Sequence, residues 1–137
     1  MTMALPSNEI TRACDEALPG YALRGLEYFN TGHYFEAHEY LEAAWKAERR
    51  EIREVYRAVL QVAVGYYHLT RGNFTGAQKM FSRSRKYFHI LPDVCQGIRL
   101  AQLRQDMDRA EAEMNLLGPK RIGSFDRSQL KKVEYQR

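Results

Sequence analysis

Residues 25–45 read GLEYFNTGHYFEAHEYLEAAW, and the fold follows from how this stretch is divided. Thr31-Gly32 is turn chemistry between two segments of helical periodicity, so the stretch reads as a helix, a tight turn and a second helix. On the second helix Tyr34, His38, Leu41 and Trp45 recur at i, i+4, i+7 and i+11. That spacing puts an imidazole on the same stripe as core residues. Glu39 and Glu42 follow it, giving His38-Glu39-x-x-Glu42-x-x-Trp45.

The same construction recurs forty residues on. Gly25, Phe29, Gly32, Tyr34, Ala37 and Leu41 return as Gly65, Leu69, Gly72, Phe74, Ala77 and Phe81. Each position has a physical job. A glycine inside the hairpin lets two helices approach, a second glycine makes the turn, an aromatic seals it, and an alanine admits the facing helix. The copies differ at His38, Glu39 and Glu42, which become Gln78, Lys79 and Ser82, so the first hairpin carries the specialised side chains.

Outward from these hairpins, the apolar pattern predicts helices over about 7–18, 21–30, 34–49, 52–70, 74–89 and 98–116, with Pro19-Gly20, Pro92 and Gly118-Pro119 as breaks. The helix at 52–70 is apolar round most of its circumference and is therefore the central one. Its polar line, Arg57, Gln61 and His68, must find partners inside the protein. The expected architecture is all-α: a compact bundle of about five helices, made of two hairpins resembling tetratricopeptide repeats and a covering C-terminal helix. At 137 residues one core is expected, over 1–118, followed by a basic, weakly structured tail over 119–137.

Residues 1–118 balance 15 Lys/Arg against 15 Asp/Glu, so the formal +4 lies in the tail. The neutral body and the missing recognition motif argue against nucleic acid as a partner. Six acids within 36–54 face seven bases within 71–104 in sequence, and the two segments are expected to pack side by side. No apolar run reaches membrane-spanning length, and the N-terminus lacks the pattern of a secretory signal. Cys14 and Cys95 lack CxxC or metal spacing and read as free thiols of a cytoplasmic protein.

The motif Gly32-x-Tyr34-Phe35-x-Ala37-His38-Glu39-x-x-Glu42-x-x-Trp45, with Leu60-Gln61-x-Ala63 and Tyr67-His68-x-x-Arg71-Gly72-Asn73-x-x-Gly76-Ala77, resembles domain-of-unknown-function family 309 (DUF309). Pro92-x-x-x-x-Gly97-Ile98 fits as well, with Arg99 where the family more often has an acid. The resemblance spans about 25–103 and implies a small helical bundle with no assigned activity.

A helix carrying HExxH holds zinc because two imidazoles one turn apart converge on one ion, but here the second position is Glu42. A di-iron bundle needs carboxylates on further helices, and none lies between Glu54 and Asp93. No serine or cysteine is spaced to serve as a nucleophile beside His38, and no phosphate loop or dinucleotide fingerprint is present, so no cofactor is expected. The expected function is non-enzymatic: binding of a protein partner or small ligand through a buried polar cluster. Its members are His38, Glu39, Glu42, Gln61, His68, Arg71 and Asn73, walled by Trp45 and Tyr67. The alternative is a metal-assisted hydrolase using His38, Glu42 and His68.

Overall fold

A computed structural model describes residues 5–136. The elements are α1 (Asn8–Ala13), α2 (Gly20–Asn30), α3 (Tyr34–Ala47), α4 (Arg53–Thr70), α5 (Phe74–Phe88), a strand pair β1 (Val94–Cys95) and β2 (Ile98–Arg99), and α6 (Leu100–Arg121). Two short 3₁₀ turns follow, at Ile122–Ser124 and Arg127–Gln129. This is the compact all-α bundle that the periodicity calls for. The α2–α3 and α4–α5 hairpins lie side by side, with α4 between α3 and α5, and α6 packs on α5.

Both hairpins are built as the repeat predicts. Gly32 and Gly72 hold φ of 78° and 71°, the left-handed conformation that glycine adopts without steric cost. A side chain at Gly25 would strike Leu41, and one at Gly65 would strike the Phe81 ring. Ala37 and Ala77 are fully buried at the matching contacts. Along α4, Val55, Val59, Val62 and Tyr66 are buried, which makes it the central helix. Tyr66 sits among Phe29, Tyr34 and Phe81 at centroid separations of 5.5, 5.6 and 6.0 Å, in tilted or edge-to-face geometry that favours aromatic pairs.

Four expectations are corrected. Cys14 and Cys95 are joined by a disulfide, so they are not free thiols, and the sequence argument for a reducing compartment goes with them. The bond ties the end of α1 to β1, and Gln96, the next residue, reinforces the junction. It takes a hydrogen bond from the buried Tyr56 hydroxyl at 2.7 Å and donates to the Ala13 carbonyl at 3.2 Å. Burial raises the Tyr56 phenol to about 12.

The second correction concerns the tail, which is packed where weak structure is expected. Gly118 (φ 73°) kinks α6, and Pro119, which fits the first turn of a helix, restarts it instead of closing the fold. The tail then lies across the turn end of the bundle. The Asn30 amide exchanges two hydrogen bonds with the backbone of Val133, at 2.9 and 2.7 Å, and Tyr135 bridges to Ile98 beside the strand pair. Val133 is buried.

Thirdly, the acidic and basic segments do not pack side by side. Helix α4 intervenes, and the α5 cation that is paired, Arg85, contacts Asp108 and Glu111 of α6 at 2.8 and 2.6 Å. Finally, Val94–Cys95 and Ile98–Arg99 form a short strand pair, so the helix expected from 98 starts at Leu100. No helix among the described residues is long and apolar enough to cross a membrane.

Candidate functional site

The core stripe of α3 runs through Tyr34, Ala37, Leu41 and Ala44. His38 stands one position round from Ala37, and Trp45 one round from Ala44. Both therefore occupy the edge of the stripe, where α3 meets α4 and solvent. The cluster expected to be buried is thus a half-exposed rim: the side chains of His38 and Glu42 are 29% and 34% exposed. His38 Nε2 lies 3.0 Å from Glu42 Oε2, while the other carboxylate oxygen pairs with Lys46 Nζ at 2.7 Å. Lys46, and more weakly His38, hold the Glu42 carboxyl below its usual range against the opposing effect of burial. Glu39 is exposed and lines the same shallow depression as Phe35 and His38.

One turn further along α3, Trp45, Arg57, Leu60, Gln61 and Glu42 line a groove between α3 and α4. The Arg57 guanidinium stacks over the Trp45 ring at 4.5 Å and over Tyr87 at 4.9 Å, and donates to the Tyr87 hydroxyl at 2.6 Å. Its Nε also lies 3.6 Å from Glu54 Oε2, so the guanidinium is held by both stacking and an ion pair. Two of the lining residues each carry a buried polar atom with no hydrogen-bond partner among the described residues, the Trp45 indole Nε1 and the Gln61 carbonyl Oε1; Glu54 Oε2 and the Tyr66 hydroxyl share that state elsewhere.

The remaining predicted residues gather at the α4–α5 turn. Asn73 caps α5, its Oδ1 accepting from the Gly76 N–H at 2.9 Å. That leaves its Nδ2 to donate to His68 Nδ1 at 3.2 Å, which makes Nδ1 the unprotonated nitrogen of the ring. Arg71 is exposed and lies over the Tyr67 ring at 5.5 Å. A file of rings joins the two groups: Phe35 is 6.0 Å from His38 and 5.7 Å from Tyr67, and Tyr67 is 6.1 Å from His68. The nine predicted residues therefore share one side of the α3–α4 pair but form two sub-clusters.

Because the groups are separate, His38, Glu42 and His68 do not converge. Among the described residues no three or more His, Cys, Asp or Glu side chains are gathered as a metal-holding group. Two residues of the surface were left out of the predicted set. Phe35 is the link between the sub-clusters, and Arg57 is the fixed cation. Arg57 was legible, since it stands one turn before Gln61 on an otherwise apolar helix.

Burial lowers the His68 pKa from its usual value. Asn73 presents a donor to Nδ1, so protonation there would set two donors against each other. A base whose pKa is lower folded than unfolded takes up more protons on unfolding, so stability is full above the unfolded value and falls as pH drops through the folded one. Below about pH 6.5, wild type should therefore lose stability that His68→Gln retains. Denaturation midpoints at pH 7.5 and 5 measure the difference, and parallel losses in the two proteins would refute it.

Residues 22–80 match the model of a family described as Domain of unknown function (DUF309). This stretch covers α2, α3, α4 and the first half of α5, and it contains all nine predicted residues. The chain is similar to an uncharacterized protein of Aquifex aeolicus (strain VF5), 26% identical over 119 residues, which are 85% of this chain and 34% of that protein. It is also similar to the uncharacterized protein YpuF of Bacillus subtilis (strain 168), 38% identical over 60 residues, 43% of this chain and 34% of that one. The chain spans about a third of the length of the curated relatives it matches.

Proposed function

We propose that the DUF309-matching region of this chain is a binding module that receives an extended polypeptide segment along the α3–α4 face. The observation that carries the reading is the pair of enclosed, unpartnered groups in one groove, an indole N–H at Trp45 and a side-chain carbonyl at Gln61. Leaving a buried polar group unpaired costs about 1–3 kcal/mol, so a guest toward which the two side chains turn, offering an acceptor to one and a donor to the other, recovers free energy at both. Each residue of a peptide backbone carries one donor and one acceptor, and an extended backbone repeats them along its length. Arg57, stacked on Trp45 and paired with Glu54, gives the groove a fixed wall; the exposed Glu39 adds an acid, and Phe35, 49% exposed, adds an apolar contact toward the second sub-cluster. Small-molecule amides would satisfy the same two groups but would leave the Phe35–Tyr67 file unused. That the relatives are longer proteins is consistent with a module set within a larger chain.

Trp45 is the one tryptophan of the chain, so its indole ¹⁵N–H resonance is a unique reporter of the groove. Random dodecapeptides would be selected on phage against the wild type and counter-selected against Gln61→Leu. Enriched peptides should shift the Trp45 indole signal saturably and bind Gln61→Leu about tenfold more weakly, as loss of one buried acceptor implies. No enrichment, or peptides that bind both proteins equally and leave the indole signal in place, would reject the reading.

A further inference from the structure

Helix α5 turns a wholly basic and polar strip outward. From Phe74 to Phe88 it contains no acidic residue. Thr75, Lys79, Ser82 and Lys86 recur at i, i+4, i+7 and i+11, with Arg83 beside them, and all five are exposed. Lys79, Arg83 and Lys86 make no ion pair among the described residues, whereas Arg85, one face round, is spent on α6. The packed tail reaches the turn just before this helix. Ile122 lies against Gly72, so the end of α6 comes alongside the start of α5, and Arg127 reaches over to donate to the Thr70 carbonyl at 3.0 Å. Arg127, a cation that the sequence leaves on a loose end, is thereby mounted on the rigid body at the turn that leads into α5.

Although the body as a whole is neutral, its cations are gathered without acids on this helix, and we infer that the α5 face binds the sugar–phosphate backbone of double-stranded nucleic acid, against the expectation from sequence. The choice among anionic partners rests on what each needs. A protein partner gains little from exposed ion pairs alone and requires an apolar centre, which the strip lacks. A lipid surface requires side chains that enter the acyl boundary, and the strip offers hydroxyls and cations only. A polyphosphate gains affinity from charge alone, by releasing condensed counterions. Lys79 and Lys86 are seven residues apart, roughly 10.5 Å along the axis, which spans about three phosphates of one duplex strand. Thr75 and Ser82 add hydroxyl donors of the kind that phosphate contacts use. The strip has no aromatic platform on which unstacked bases would lie, which favours duplex over single strand and backbone over base reading.

The test uses the full chain and a fluorescein-labelled 20-base-pair DNA duplex of mixed sequence, followed by anisotropy at 50 and 200 mM salt. With about three phosphates contacted, binding should weaken about 40-fold between the two salts. Lys79→Gln/Arg83→Gln/Lys86→Gln should bind at least tenfold more weakly at 50 mM and lose most of the salt dependence. Arg12→Gln/Arg24→Gln/Arg53→Gln removes the same formal charge elsewhere and should keep the wild-type slope. Far-ultraviolet circular dichroism checks that both variants are folded. The inference is overturned by absence of saturable binding at 50 mM, by equal slopes in the two triple variants, by tighter binding to the single strand, or by binding to anionic phosphatidylserine vesicles without binding to duplex.

Discussion

Cys14→Ala/Cys95→Ala should lose about 2–5 kcal/mol of unfolding free energy, a large share of what holds a domain of this size together. The two residues are 81 positions apart, and in the chain-entropy account a closed loop of that length restricts the unfolded chain by about 4.5 kcal/mol. The native side of the balance points the same way. Helix α1 has six residues, too few to persist alone. It is held by burial of Ile10 and Ala13, by Glu9 accepting from the Glu51 N–H at 2.7 Å, and by the Gln96 amide. Just beyond it, Glu16 forms a two-pronged pair with Arg50 at 2.8 Å. Those contacts are exposed or few, so without the bond α1 should fray first. Urea denaturation with and without dithiothreitol measures the effect: reductant should lower the wild-type midpoint to that of the double alanine variant and leave the variant unmoved. A wild-type curve indifferent to reductant would contradict the prediction.

Phe81→Ala is expected to cost about 3–5 kcal/mol, the usual penalty for emptying a buried aromatic site. Its partner makes the experiment sharper. Gly65→Ala gains about 1 kcal/mol of helix propensity, but the new methyl meets the Phe81 ring, and overpacking costs about 1–3 kcal/mol. The single change should therefore destabilise. In the Phe81→Ala background the ring is gone, the methyl occupies part of the void, and Gly65→Ala should become stabilising. Neighbouring sites couple by about 0.5–3 kcal/mol, enough for this reversal of sign. A Gly65→Ala effect identical in both backgrounds would mean that α4 and α5 do not meet at this pair.

The same contact shows why the hairpins were legible. Gly25 with Leu41, and Gly65 with Phe81, are each sixteen residues apart across one turn, and the turn glycine fixes the register between them. A repeat with that spacing states its own packing. The candidate site was legible only in part. Periodicity placed His38 and Trp45 beside the core but did not resolve the rotation of about 100° per residue that separates a buried position from a rim. The division into two sub-clusters depends on the Phe35 and Tyr67 rings standing between His38 and His68, and ring placement is a matter of packing between helices.

By itself, then, the chain's order of residues determined two glycine-turned hairpins around an apolar central helix, because those features depend on periods and turns within a few tens of residues. Tertiary structure decided the rest. It joined Cys14 to Cys95 across 81 positions, laid Val133 against Asn30, and kept the acidic α3 away from the basic α5 by setting α4 between them. These are contacts between distant parts of the chain. Local pattern cannot specify them, since a cysteine, an amide or a lysine carries no period that points to its partner, and only the closing of the whole bundle brings the two together.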